Sequence, residues 1–161
     1  MRRRKLIAIL VLVSMAAALQ TLLPLISGGL TIANPWLALL AVLSLRQGKA
    51  AGVLWGALLG GVSDAYFMPY VGFHGAAMTL VGFLLGLLGS QVVIQGLLPL
   101  FFFAAAAYVL DSAAVAALFW LLDLPLPSPF LLSAALGCLF TGLLAAGLEA
   151  VAHRLWPEER G

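Results

Sequence analysis

Residues 51–75 read AGVLWGALLGGVSDAYFMPYVGFHG. Within this stretch Gly52, Gly56 and Gly60 recur every fourth position, so on a helix they share one face, with Asp64 one turn further along it. An apolar helix with a bare stripe that ends in a carboxylate has to press the stripe against another helix. Small residues let two helices approach closely, whereas a carboxylate turned to hydrocarbon costs about 2.5–3.5 kcal/mol on insertion scales. The remainder of the chain therefore reads as the helices that receive this one.

Composition agrees. Of 161 residues, 64% are hydrophobic and only 9% charged, against about 25% in a soluble domain. Apolar runs of membrane-spanning length recur along the chain, which predicts one all-α integral membrane domain, a six-transmembrane-helix bundle. The expected spans are 6–25, 34–45 (short), 50–67, 72–90, 97–122 and 130–152. The formal net charge of +2 does not point to nucleic acid, because the basic residues sit at the ends of hydrophobic runs and form no face. Cys138 is the single cysteine, too few for an internal disulfide or a thiolate metal framework.

Met1-Arg2-Arg3-Arg4-Lys5 ahead of an apolar run resembles the start of a signal peptide. The run continues to Leu25 and further spans follow, so an uncleaved first membrane helix is expected. Asn34-Pro35 starts the second helix, with proline at a position where its missing N–H does no harm. From Trp36 to Leu45 this helix covers only about 15 Å of a hydrocarbon core of about 30 Å. Such a segment belongs buried among its neighbours. Arg46-Gln47-Gly48-Lys49 is a tight polar turn, and Trp55 is expected on the outward side of the third helix. Gly82, Gly86 and Gly89 make a second small-residue face, and Gly137, Thr141, Ala145 and Glu149 a third. The prolines at 125, 127 and 129 end the fifth span.

With six spans and both termini cytoplasmic, Arg2, Arg3, Arg4, Lys5, Arg46, Lys49, Arg154 and Arg160 all lie inside, and the outer segments carry no Lys or Arg. That asymmetry sets the orientation expected in a bacterial cytoplasmic (inner) membrane.

The polar residues on the spans are few, chiefly Gln20, Asp64, Thr79 and Asp111. Asp64 has two readings: an acceptor for a partner, substrate or proton, or a carboxylate capping the 70–75 turn and the next helix N-terminus. His74 is placed to hydrogen-bond Asp64 in the hairpin. The two are too few for a metal site and lack a nucleophile for acid–base catalysis. Asp111, deep in the fifth span, is either a functional carboxylate or a structural one bonded to Thr79, Gln20 or a helix carbonyl. Glu149, near the cytoplasmic end of the last span, is placed to snorkel or to pair with the Arg46/Lys49 turn. No catalytic residue, cofactor or metal is expected.

Gly60-Gly61-Val62-Ser63-Asp64 followed by Pro69-Tyr70-Val71-Gly72-Phe73-His74 resembles the signature hairpin of the rod shape-determining protein MreD family. The likeness extends to Leu19-Gln20-Thr21, Pro24, Asn34-Pro35 and the Gly82–Gly86 segment. After the proline that starts the second span, where the family usually has an acid, this chain has Trp36. The resemblance implies a non-enzymatic membrane scaffold of the bacterial cell-elongation machinery that supports lateral peptidoglycan synthesis. It acts by binding MreC and, indirectly, the filament protein MreB, the glycosyltransferase RodA and a class B penicillin-binding transpeptidase. Gly52, Gly56, Gly60, Asp64, Pro69, Gly72 and His74 are then the hairpin and docking residues. The family is also similar in its six-helix fold to substrate-binding subunits of energy-coupling-factor transporters. The alternative function is therefore a vitamin-type transporter subunit.

Overall fold

The computed structural model describes residues 2–26, 33–67, 72–91, 96–125 and 130–155. They form six helices: α1 (Arg2–Ile26), α2 (Pro35–Gln47), α3 (Lys49–Phe67), α4 (Phe73–Gln91), α5 (Leu97–Leu121) and α6 (Phe130–Leu155). Four of these contain segments long and apolar enough to cross a membrane: Lys5–Leu25, Phe73–Gln91, Leu97–Leu121 and Leu132–Leu155. The protein is thus all-α with multi-pass membrane character.

α2 is the axis. At 13 residues it is about 20 Å long, and every residue from Pro35 to Ser44 is buried. It is apolar on all sides because it has a neighbour on all sides, touching each of the other five helices. Around it the others run in the order α3, α4, α5, α6, α1, and the ring is open between α1 and α3, which share no contact among the described residues.

Its length is set by its caps. The Asn34 side chain accepts from the Leu37 N–H at 3.1 Å, and Pro35 occupies the first turn. At the far end Gly48 has φ +83°, a conformation that L side chains rarely adopt, and its N–H returns to Ser44 O at 2.9 Å. α3 starts at the next residue, so the polar turn expected over 46–49 is a single glycine, with Arg46 and Gln47 still helical. The start of α2 is tied to α6 by the Asn34 N–H donating to Thr141 Oγ1 at 3.0 Å.

α5 ends where the proline-rich segment predicts, through a Schellman motif. The Leu124 N–H bonds to Phe119 O at 2.9 Å and the Asp123 N–H to Trp120 O at 3.3 Å, with Asp123 at φ +52°.

The outer surfaces of the helices are apolar. Leu10, Leu54, Leu98 and Trp120 are each 65–80% exposed, on three different helices, a surface suited to lipid and unsuited to water. Trp55 departs from expectation: it is half-buried and packs on the core around α2.

Candidate functional site: the α3–α4 hairpin and its polar seam

The glycine stripe of α3 meets α4 backbone to backbone. A Cβ placed on Gly52 would lie 2.1 Å from Gly82 O, one on Gly56 2.4 Å from Met78 O, and one on Gly60 2.6 Å from His74 O. From the other side, a Cβ on Gly82 would lie 2.2 Å from Gly52 O, one on Gly86 2.6 Å from Lys49 Cα and one on Gly89 2.5 Å from Leu45 O. Gly52, Gly56 and Gly60 thus meet α4 at Gly82, Met78 and His74, while Gly89 at the end of α4 meets Leu45 on α2, so the second small-residue face serves both α3 and α2. The face of Gly52, Gly56 and Gly60 is filled by the chain's own α4, so no partner helix fits there.

Asp64 closes this hairpin. It is 1% exposed, and its carboxylate accepts three backbone N–H groups: Gly72 at 2.9 Å, His74 at 2.8 Å and Gly75 at 3.0 Å. These include first-turn donors of α4 that have no partner within the helix, and the positive end of the helix dipole favours the carboxylate there. Gly72 carries φ +107°, which lets the chain turn into α4 so that these N–H groups converge on Asp64. Of the two readings of Asp64, the helix cap is the one its contacts display. Pro69 and Tyr70 lie outside the described residues.

The His74 ring does not go to Asp64, as the hairpin geometry suggested. Only its backbone N–H does; the ring crosses to α5, with Nδ1 3.3 Å from Asp111 Oδ2. Asp111 is 2% exposed, and its other oxygen, Oδ1, is buried with no hydrogen-bond partner among the described residues. Neither side chain proposed as a partner for Asp111 bonds to it. Thr79 donates to Gly75 O in its own helix at 2.6 Å. Gln20, on α1, is buried with its Oε1 lacking a partner among the described residues. Next to the pair, the Phe73 and Phe119 rings meet edge to face at 5.7 Å, and Ala77 packs with Val115. The α4–α5 seam thus has an apolar end and one polar pair. His74 and Asp111 are nearly equidistant in sequence from the α4–α5 connection, the signal by which an antiparallel hairpin would have matched them.

At the opposite end of the bundle Arg46 and Glu149 pair as expected. Arg46 Nε donates to Glu149 Oε2 at 3.0 Å and Nη2 to Oε1, with the Arg46 side chain only 5% exposed. This bidentate bond joins the end of α2 to the end of α6. On the inner face of α6, Thr141 and Ala145 are fully buried; Tyr108 packs against Gly137 and Phe101 against Gly142.

One surface was not read from the sequence. The side of α3 away from α4 exposes Ala57, Gly61 and Ala65 at four-residue spacing, flanked by Leu54, Leu58 and Val62. A Cβ on Gly61 would meet nothing within 4 Å. The four-residue spacing of Ala57, Gly61 and Ala65 is the sequence signal of this face, with one glycine against three on the other.

Among the described residues no group of three His, Cys, Asp or Glu side chains is arranged to hold a metal ion. Compared with models of known protein families, with curated proteins and with solved structures, the chain matches none.

Proposed function

We propose that this chain is a non-enzymatic membrane scaffold of the bacterial cell-elongation machinery, a six-span bundle in the cytoplasmic membrane that binds the single-span protein MreC. Through MreC it would act with MreB, RodA and a class B penicillin-binding transpeptidase. The reading rests on the resemblance carried by Gly60–Asp64 and Gly72–His74. One observation supports docking in particular: α3 spends one small-residue stripe on α4 and presents a second, Ala57-Gly61-Ala65, outward. Where lipid and side chains are equally apolar, close backbone approach is what makes a helix–helix contact specific. A partner helix therefore gains most on a stripe of this kind.

Gly61→Leu tests the docking reading. The open space around Gly61 predicts an unchanged fold, measured as thermal unfolding in detergent, with co-purification of MreC lost. Unimpaired co-purification overturns docking on this face. Labelling of a cysteine at position 49 in intact cells tests the orientation, which predicts that it is shielded from outside.

A second reading, a substrate-binding subunit of a vitamin-type transporter, has one observation in its favour. Gln20 Oε1 and Trp36 Nε1 are buried without hydrogen-bond partners among the described residues, and a ligand could satisfy such groups. Micromolar binding of a vitamin by the purified protein would establish it against the scaffold.

A further inference from the structure

The fold is electrically polarised along its axis. The Arg46–Glu149 bond brings the ends of α2 and α6 together, and the approach of Gly86 to Lys49 and of Gly89 to Leu45 brings the start of α3 and the end of α4 to the same place. Arg46, Lys49 and Arg154 are gathered here. At the other end, where α5 stops, Asp123 is exposed.

The one described carboxylate at the basic end, Glu149, is already taken by Arg46, whose side chain is 5% exposed. What remains outward is basic: Lys49 at the start of α3 and Arg154 at the end of α6 are exposed, three and five residues in sequence beyond the Arg46–Glu149 pair that joins α2 to α6. Gln47 adds an amide nitrogen that is buried without a hydrogen-bond partner among the described residues. The pair therefore acts as a neutral staple beneath a cationic rim at one end of the bundle.

We propose that this rim, with Lys49 and Arg154 as its principal donors, binds the phosphate of anionic phospholipid headgroups. The inference rests on the multi-pass membrane character of the chain and is independent of the scaffold reading. The chemistry recognised is a phosphodiester anion, and attraction of this kind is confined to about a Debye length and weakened by salt.

The full-length protein is to be reconstituted in nanodiscs of phosphatidylcholine with and without phosphatidylglycerol, and the lipid retained on extraction quantified by native mass spectrometry. Wild type is expected to retain phosphatidylglycerol preferentially, with the preference falling as salt rises. Lys49→Gln and Arg154→Gln should each reduce it about fivefold, the contribution of one basic residue near an anionic surface. Both positions are exposed, so the unfolding midpoint in pure phosphatidylcholine should not move. Equal retention of the two lipids overturns the proposal, as does a preference that survives the double variant. Displacement by soluble glycerol phosphate at the same concentration as the lipid shows a free-phosphate site and overturns the assignment to lipid.

Discussion

The His74 ring lies 3.3 Å from Asp111 across the α4–α5 seam, while its backbone N–H is held by Asp64 of α3 at 2.8 Å. One residue thereby links three helices, and the two carboxylates are connected through it without touching each other. This arrangement makes the seam sensitive to which partner is removed. His74→Leu strands the Asp111 carboxyl, 2% exposed, and should cost about 3 kcal/mol in detergent unfolding. Asp111→Asn keeps an acceptor for the ring and should cost about 1 kcal/mol or less. The double variant His74→Leu/Asp111→Ala should be more stable than His74→Leu alone, because no buried polar group is left behind. Additive single costs would show that the two side chains do not interact.

Gly56 separates folding from partner binding. Its Cβ position lies 2.4 Å from Met78 O and 2.7 Å from Thr79 Cα, both backbone atoms that cannot rotate away. Gly56→Leu should therefore lose at least about 3 kcal/mol, the upper end of overpacking costs, and expose the α3–α4 interface to proteolysis. Leucine at position 61, on the opposite side of the same helix, should leave unfolding unchanged. A stable Gly56→Leu protein would mean that α3 and α4 are further apart than described.

Much of the fold was legible because it is written in spacings. The i, i+4 glycines at 52, 56 and 60 and those at 82, 86 and 89 announced two bare helix faces, and Asn34-Pro35 announced the start of a helix too short to stand alone. Arg46 and Glu149 were matched by charge and by end of the bundle. What could not be read was which faces meet. Helix spacing places the two glycine stripes on their own helices but is silent on neighbours, so docking to a partner stayed open for Gly56 beside the favoured packing within the chain. For the same reason Asp111 was matched to Thr79 or Gln20, which are polar and intramembrane, when depth along an antiparallel hairpin selects His74. Helix spacing alone likewise does not tell that Trp55, expected on the outward side of α3, packs half-buried on the core around α2.

Asp64 should behave as a helix cap. Its carboxylate satisfies the N–H groups of Gly72, His74 and Gly75, so Asp64→Ala should cost about 2 kcal/mol, the high end for a lost cap, and accelerate hydrogen exchange at those amides. Asp64→Asn retains one carbonyl oxygen and should fall between wild type and Ala. Unaltered exchange at position 75 in Asp64→Ala would assign the start of α4 to some other support.

The end of α5 offers a stabilising change. Asp123 sits at φ +52° in the C′ position of the Schellman motif, where its Cβ crowds the backbone and where glycine would meet no such penalty. Its side chain is exposed, so little packing is lost by removing it. Asp123→Gly should therefore raise stability by about 0.5–1 kcal/mol, the strain relieved being partly offset by the greater freedom of glycine in the unfolded chain. Asp123→Val, β-branched and intolerant of positive φ, should lower it by more than that gain. Unfolding midpoints of the two variants on opposite sides of wild type are the expected outcome. The reverse order would show that the chain leaves α5 by a different turn.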